Sequence, residues 1–402
     1  MFYSDISGKV LYFTHIYGII FIISISDRRK QPMKYRKMGK TGVEVSVLGF
    51  GCMRLPTVDG QDNCIDEEKA IGIIRSGIDS GINYVDTAFG YHGGNSERLV
   101  GKALKDGYRE KVNLATKLPL WNVKCEEDVE RIFNEQLQKL DTDHIDFYLL
   151  HAVNNDSWDN IVTKFDVLPK LEKLKADGKI KHIGFSFHDD LWVFKKVIDA
   201  YDGFEFCQIQ FNYIDVDYQA GLEGLEYAAS KGLGVIVMEP LLGGKLASPN
   251  ERVAAKLSEE KTPVEWALDF VWNRPEVSIL LSGMGNMQMV NDNIGYADRS
   301  NPGMLSEKDL AMLSDAKHVF DEMVVVPCTG CEYCMPCPSG VKIPKVFSAF
   351  NNITTGGRRV VKDIFPDIET NASLCKKCGK CENACPQHIK IIDTLKTIID
   401  KF

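Results

Sequence analysis

The feature that most constrains the fold is a regular alternation of short apolar runs with longer amphipathic stretches, between residues 45 and 281. The apolar runs are nearly continuous, which indicates strands that are buried on both faces of a parallel sheet. Eight such strand–helix units predict an α/β fold, a closed (β/α)8 TIM barrel, with a doubly wound open sheet as the weaker alternative. The predicted strands are Val45–Gly49, Ile82–Ala88, Val112–Leu118, Ile145–His151, Ile183–Phe187, Phe206–Phe211, Val235–Met238 and Ile279–Leu281.

The chain has 402 residues, more than the roughly 250 of a single barrel, so we expect a second domain. The barrel domain is predicted over residues 33–318, and it opens with a hairpin formed by Tyr35–Gly42 and Val43–Gly51 that leads into the first barrel strand. Residues 325–402 are rich in Cys, Pro and Gly. They predict a small, mostly helical and loop domain that is stabilised by metal, with a helix at Ile389–Lys401.

Residues 1–32 form a leader before the barrel pattern begins. Its uncharged run at 10–26 is slightly shorter than the ~20 residues that span a bilayer, and basic residues follow it. This run is either an apolar anchor, which would leave the rest of the chain in the cytoplasm, or sequence upstream of a natural start at Met33. The clean onset of the fold's pattern at Met33 favours the second interpretation, and only the first implies contact with a membrane.

Polar residues end three of the predicted strands: Asp86, Lys117 and His151. Tyr91 follows Asp86 by five residues, in the next loop. Charged groups at the ends of buried strands are costly unless they are paired, and a TIM barrel has its active site at the carboxyl ends of its strands. Singly, each of these residues has an ordinary structural explanation, such as a helix cap or a packed aromatic. The four together predict a catalytic site at one barrel mouth.

These residue types suit the reduction of a carbonyl group. The phenol of Tyr91 would protonate the developing alkoxide if the Lys117 cation lowered its pKa from the usual value of about 10. Asp86 would hold Lys117, and His151 would orient the carbonyl oxygen or assist proton transfer. Here the sequence resembles the aldo/keto reductase family over residues 33–315, whose Asp, Tyr, Lys and His tetrad matches these four residues. The resemblance implies hydride transfer between NAD(P)H and a small carbonyl or alcohol substrate.

No Gly-x-Gly-x-x-Gly motif follows an early strand, so a Rossmann-type dinucleotide site is not expected. The resemblance implies that nicotinamide binds across the barrel mouth instead, with Ser186 and Gln208 at its carboxamide and Met238 at its ring. It assigns the phosphates and adenosine to the segments Leu241–Leu246 and Ser282–Asn293. The residues that it singles out in these segments are Gly243, Ser282, Gly283, Asn286 and Asn293.

Several positions in this groove depart from the family's pattern. Phe187 stands where many members have Asn, and Met238 stands where many have an aromatic residue that stacks on nicotinamide. Gly283 and Met289 occupy positions that are often basic in NADP-binding members. Because Arg or Lys binds a 2′-phosphate, the choice between NADP and NAD stays open, with a modest NADP preference at most.

Eight of the 12 cysteines lie between Cys328 and Cys385, in two runs that each end in Cys-Pro. Such crowded thiols indicate metal ligation in a reducing compartment, the cytoplasm. The second run has the bacterial ferredoxin spacing and predicts a 4Fe–4S cluster, because zinc sites usually place a longer loop between their cysteine pairs. Its cysteines are Cys375, Cys378, Cys381 and Cys385.

The first run is one residue shorter and contains Cys328, Cys331, Cys334 and Cys337. In two-cluster ferredoxins the fourth cysteine of each run binds the other cluster. That scheme would join Cys385 to the first three cysteines of this run, and Cys337 to those of the second run. The short spacing leaves this crossed pairing, and the presence of two clusters rather than one, open.

The sequence therefore predicts an oxidoreductase with nicotinamide and 4Fe–4S clusters, the clusters serving electron transfer to a one-electron redox partner or redox sensing. The alternative is an iron–sulfur electron-transfer module or redox sensor whose barrel binds nicotinamide without reducing aldehydes. Hydride carries two electrons and a cluster carries one, so coupling them would need a partner or a flavin, for which the chain shows no fingerprint. The net charge of −8 argues against a nucleic-acid-binding face.

Overall fold

The computed structural model describes residues 11–16, 19–24, 33–323, 325–356 and 368–401, and the chain divides into two compact units, residues 1–32 and 33–402. In the first unit the strands Leu11–Ile16 and Ile19–Ser24 pair antiparallel. The described part of the apolar run is therefore β-strand. Across the described ranges, no helix has both the length and the apolar character to cross a membrane. A natural start at Met33 stays a prediction.

The second unit contains a closed barrel of eight parallel strands, which confirms the predicted fold class. Each strand pairs with its neighbours in sequence, and the last strand closes on the first. We number the strands β1 (Leu48–Gly51), β2 (Tyr84–Asp86), β3 (Asn113–Pro119), β4 (Ile145–Val153), β5 (Ile180–Phe187), β6 (Phe206–Gln210), β7 (Gly234–Met238) and β8 (Val277–Ser282).

The predicted first strand, Val45–Gly49, spans two structural elements. Glu44–Ser46 pairs antiparallel with Tyr35–Lys37 in the expected hairpin, and β1 begins only at Leu48. The prediction was wrong at this boundary because apolar patterning does not tell which partner a strand will pair with.

Helices follow the strands, and several begin at caps that stabilise their first turns. The Asp66 side chain accepts from Lys69 N–H at 3.2 Å, and Thr262 forms a capping box with Glu265 ahead of a proline. The main helices are Glu67–Asp79, Ser96–Ala103, Glu127–Leu140, Val167–Ala176, Leu191–Asp199, Gly221–Ser230, Pro263–Trp272, Met287–Arg299 and Glu307–Met323, with short helices at Asn155–Ser157 and Glu251–Ala254.

Side chains fill the barrel interior, so the barrel is a packed core and not a pore. The ring of Phe147 lies 5.3 Å from that of Tyr84 and 5.1 Å from that of Phe206, measured between centroids. A larger apolar cluster packs the outer strand faces against the helices. This closed sheet fixes the positions of the strand ends, on which the candidate site is built.

The cysteine region, residues 325–401, is built from helices and loops, as predicted. It also has its own apolar core, which the sequence analysis did not expect, and Phe347 and Ile398 are fully buried in it. The predicted last helix begins at Ile391 rather than Ile389. The described helices of the cysteine region are Ile343–Gly356, Ile368–Ser373, Lys380–Ala384 and Ile391–Lys401.

Candidate active site

A buried ion pair lies at the mouth of the barrel. Asp86 ends β2, and Lys117 lies near the end of the neighbouring strand β3. The Lys117 ammonium donates to the two Asp86 carboxylate oxygens at 2.7 and 2.8 Å and to the Thr87 carbonyl at 2.9 Å. Lys117 is 0% exposed and Asp86 is 2% exposed. Burial raises the pKa of Asp86, and the Lys117 ammonium opposes that rise. All three ammonium protons thus have acceptors, which is what a buried cation requires.

Tyr91 begins a turn whose geometry is held by a neighbouring histidine. His92 has φ 53°, and its Nε2 accepts from Leu55 N–H at 3.2 Å while Nδ1 bonds the Asp62 carbonyl at 2.7 Å. The Tyr91 ring centroid lies 5.1 Å from the Lys117 ammonium. Burial raises the pKa of Tyr91, and the Asp86 carboxylate raises it further. The effects that raise the pKa therefore outweigh the expected lowering by Lys117.

A β-bulge orients His151. Ala152 has φ 54°, and the pairing of β4 with β5 shifts register between Leu150 and Val153. The Ser186 hydroxyl accepts from Ala152 N–H at 2.8 Å and so holds the bulge. The His151 ring centroid lies 6.1 Å from that of Tyr91. Burial and then the Lys117 charge lower the pKa of His151 well below its ordinary value. His151 is therefore a neutral imidazole that takes part through hydrogen bonds.

A further aromatic side chain in this site, Tyr333, comes from the cysteine region. Its hydroxyl oxygen lies 3.2 Å from His151 Nε2, and it is hydrogen-bonded to Tyr91. The Trp121 ring also packs on His151, at 4.9 Å between centroids. Sequence reasoning missed both residues. Tyr333 lies between Cys331 and Cys334, where a spacer residue carries no pattern that points to the barrel.

The second cysteine run is bonded to the same mouth. Tyr218 donates its hydroxyl to the Gln387 carbonyl at 3.0 Å, and Gln219 donates its amide to the Pro386 carbonyl at 2.9 Å. The Gln387 amide donates to Gln210 Oε1, at the end of β6, at 3.0 Å. The cysteine region therefore covers part of the barrel mouth.

The residues predicted at the nicotinamide carboxamide and ring lie on adjacent strands. Gln208 on β6 and Met238 on β7 are in contact, with Gln208 Nε2 3.5 Å from Met238 Sδ. The hydroxyl of Ser186, at the end of β5, already accepts a hydrogen bond from Ala152 N–H in the bulge. Gln208 Oε1 is buried and has no hydrogen-bond partner within the described residues. This oxygen is available to accept a hydrogen bond from a ligand.

The residues predicted at the phosphates and adenosine fall into two groups. At the end of β8, Asn293 donates to the Ser282 hydroxyl at 2.9 Å, and Asn286 caps the following helix by accepting from Met289 N–H at 2.9 Å. A Cβ added to Gly283 would lie 2.9 Å from Arg54 Cγ, so an arginine that the sequence analysis missed packs on this segment.

Gly243 belongs to a separate environment. It has φ 64°, and a Cβ added there would lie only 2.0 Å from the Thr329 carbonyl oxygen. The side chain of Lys245 from the same loop donates to the Cys328 carbonyl. The predicted phosphate loop is thus packed against the first cysteine run.

One cysteine of the second run lies beside those of the first run. Four of them line one cavity: Cys328, Cys331 and Cys334 of the first run and Cys385 of the second. Burial, followed by the Cys331, Cys328 and Cys385 thiolates, raises the pKa of Cys334 to about 12. Of the other cysteines, Cys337, Cys375 and Cys381 pack against the shared apolar core. Cys375 also contributes to the raised pKa of Cys381, of which burial is the main cause.

Comparison with known proteins decides the family. The model of the aldo/keto reductase family matches residues 47–316, about two thirds of the chain. The chain is 31% identical over 284 residues to L-galactose dehydrogenase of Arabidopsis thaliana, covering 65% of this chain and 87% of that protein. The chain belongs to the aldo/keto reductase family.

Solved structures of family members have the same fold. An aldo-keto reductase from Bacillus halodurans in its holo form is 26% identical with a TM-score of 0.61, covering 71% of this chain and 96% of that one. One from Klebsiella pneumoniae in complex with NADPH is 24% identical, with a TM-score of 0.57, covering 70% and 94%, and it shows the fold alone. Membership in this family makes the chain an oxidoreductase.

The cysteine region matches a second model. Residues 327–390 correspond to the 4Fe-4S dicluster domain. This family member therefore carries an iron–sulfur module after its barrel, in agreement with the prediction from the cysteine spacing. The chemistry of the donor set supports the assignment, since four thiols line one cavity and thiolates are the ligands that such clusters use.

Proposed function

We propose that the barrel reduces a small carbonyl compound with a nicotinamide cofactor, and that Asp86, Tyr91, Lys117 and His151 carry the chemistry. The observation that carries this proposal is the fully buried Lys117–Asp86 pair beside Tyr91 and His151 at the strand ends. Burying two charges has a high desolvation cost and contributes little net stability, so the pair is better explained by a task at the mouth than by folding.

Each residue has a role that its surroundings support. Tyr91 keeps its proton at neutral pH because its pKa is raised, so it is present as the acid that donates to the carbonyl oxygen. His151 is neutral and orients that oxygen through Nε2. The Lys117 ammonium lies near the Tyr91 ring and stabilises negative charge that develops on the phenol when its proton leaves. Asp86 positions Lys117.

The residues present fit a nicotinamide. The unpartnered Gln208 Oε1 would accept from the carboxamide, and Met238 would contact the ring beside it. The candidates for the rest of the dinucleotide remain Ser186, Ser282, Gly283, Asn286 and Asn293. Gly243 is also a candidate, but the Thr329 carbonyl that packs against it would have to move away first. When bound, nicotinamide supplies the hydride that this chemistry needs. We propose that both NADP and NAD are accepted, with a modest preference for NADP at most. The cation that could bind a 2′-phosphate beside Gly283 is Arg54.

We further propose two 4Fe–4S clusters with crossed ligands. Cys328, Cys331, Cys334 and Cys385, which line one cavity, would hold the first. Cys337, Cys375, Cys378 and Cys381 would hold the second. Two clusters supply one-electron carriers, which implies a one-electron redox partner in a reducing compartment such as the cytoplasm.

A second candidate function is an electron-transfer module or redox sensor without aldehyde reductase activity. One observation favours it: the first cysteine run packs on the predicted phosphate loop and extends Tyr333 to His151. Steady-state reduction of an aldehyde panel with NADPH and NADH, run beside reduction of a one-electron dye, separates the two functions.

Substitution of the proposed acid tests the main proposal. In the full chain, Tyr91→Phe should lower the rate of aldehyde reduction by at least about a hundredfold while nicotinamide binding stays nearly unchanged. Tyr108→Phe is the matched control, because Tyr108 donates its hydroxyl to the exposed carboxylate of Asp79 at 2.8 Å and lies before β3, at the other end of the barrel. Unchanged turnover in Tyr91→Phe would remove the tetrad assignment.

A further inference from the structure

The first cysteine run extends a tyrosine into the barrel mouth. Glu332 has φ 66°, and Met335 N–H donates to its carbonyl at 2.8 Å, so residues 332–335 form a tight turn. The hydroxyl of Tyr333 in this turn lies 3.2 Å from His151 Nε2 and is hydrogen-bonded to Tyr91. A single phenolic oxygen thus lies between the two groups that act on the substrate oxygen in the proposed reaction.

Those two groups define where a substrate oxygen has to bind. An oxygen that takes a proton from Tyr91 must lie within about 2.6–3.2 Å of the phenol, and His151 Nε2 must reach the same oxygen to orient it. The Tyr333 hydroxyl lies 3.2 Å from His151 Nε2 and is hydrogen-bonded to Tyr91, so it occupies this position. Two oxygens cannot share this position, so the Tyr333 hydroxyl and a bound carbonyl exclude one another.

The run that carries Tyr333 is itself held against the barrel. Lys245 donates to the Cys328 carbonyl, and Arg54 Nη2 donates to the Gly330 carbonyl at 3.2 Å. The Thr329 carbonyl packs against Gly243. Because these contacts fix the start of the run, Tyr333 is delivered to the site by an anchored segment.

We propose that Tyr333 is a built-in occupant of the substrate-oxygen site, and that a carbonyl substrate binds only when the 332–335 turn withdraws it. This inference rests on the proposed function, which defines the oxygen site. Cys331 and Cys334, both in the cavity with Cys385, flank Tyr333. Any change at the first cluster that moves this turn therefore also changes access to the active site. A competing occupant lowers the fraction of competent protein, so its removal lowers KM.

The kinetic test compares full-length variants with 4-nitrobenzaldehyde and NADPH. Tyr333→Ala should raise kcat/KM at least about tenfold, mainly through KM, and Tyr333→Phe should raise it less because the ring remains. Tyr218→Phe is the control, since it removes one hydroxyl from the same seam, where Tyr218 bonds the Gln387 carbonyl. Iron content should be equal in all four proteins. A fall in kcat/KM in both Tyr333 variants, or no difference from the control, would overturn the proposal.

A binding measurement keeps this test separate from the proposed reaction. The compound 4-methylphenol is the side chain of tyrosine, and titration calorimetry should detect it on Tyr333→Ala but not on the parent or Tyr333→Phe. Its binding should weaken in the double variant Tyr333→Ala/His151→Leu, which lacks the ring nitrogen. If it binds in this way while no variant reduces aldehydes, the proposed reaction fails and the occupancy stands. Equal binding to the single and double variants, or none to either, refutes the occupancy.

Discussion

The barrel and the cysteine region are stabilised in different ways. The barrel closes its own sheet, fills its interior with rings such as Phe147, and pairs its buried charges with one another, as Lys117 and Asp86 do. The cysteine region has an apolar core, but four of its thiols face a shared cavity. The barrel therefore pairs these buried charges within its own chain, whereas we expect the cysteine region to depend on metal to hold its loops. We expect iron to determine the fold of the second and not of the first.

The two regions meet at the barrel mouth. The barrel leaves the amide of Gln210 and the ring of His151 at its mouth, and the cysteine region bonds both through Gln387 and Tyr333. The chemistry of the barrel is built on strand ends, which are rigid, while access to it depends on loops that carry cluster ligands. Changes to each region should therefore leave the fold of the other largely intact, although they can change access to the site.

The largest expected effect is on iron. Anaerobically purified protein should contain about eight iron atoms per chain, and Cys378→Ser should contain about four, with nicotinamide still bound by the barrel. Cys125→Ser, at an exposed cysteine of the barrel, is the control and should keep all the iron. Iron and sulfide analysis measures this. About four irons in the parent would mean that only one run forms a cluster, and stoichiometric zinc without iron would contradict the iron–sulfur assignment.

A change confined to the barrel should lower the stability of the protein and leave its iron content unchanged. Lys117→Met leaves Asp86 buried without its partner and should lower the free energy of unfolding by about 3 to 5 kcal/mol. The lower end is expected, because burial raises the pKa of Asp86 and eases its protonation. Urea unfolding followed by the fluorescence of Trp266 and Trp272, both buried in the barrel, reports this change.

The iron content of Lys117→Met should equal that of the parent. Lys40→Met, at an exposed position, is the control and should change the free energy of unfolding by at most about 0.5 kcal/mol. An unfolding midpoint equal to the parent's would show that the ion pair is not held as tightly as its geometry indicates.

The smallest expected effect is an acid dependence of the barrel. Burial favours the neutral form of Glu205, but hydrogen bonds from His182 and Lys175 outweigh it and lower the pKa to about 2. The unfolded chain has a value of about 4.3, so between these values it binds more protons than the native state. This contribution to stability is present above pH 4.3 and is lost as the pH falls towards 2. Glu205→Gln should therefore flatten the dependence of the urea midpoint on pH between 5 and 3, and parallel curves would contradict this.

Sequence patterning predicted the barrel well, because buried parallel strands leave continuous apolar runs. Asp86, Lys117 and His151 were found as strand-end residues for the same reason. The rest depends on long-range packing. The bulge at Ala152 and the proximity of Arg54 to Gly283 arise from neighbouring chain segments, which periodicity does not encode. Tyr333 is 182 residues from His151, its partner in the site. Local pattern carries no information about such a pair.

The most direct test of carbonyl reduction by the barrel is to follow the hydride from NADPH to the product. The full chain, purified anaerobically, would be given 4-nitrobenzaldehyde and NADPH carrying deuterium at both C4 positions, and the alcohol would be analysed by mass spectrometry. We predict one deuterium on the carbinol carbon of the product, and a large loss of this product in Tyr91→Phe. An alcohol without deuterium, or reduction of a one-electron dye with no alcohol formed, would contradict carbonyl reduction by the barrel.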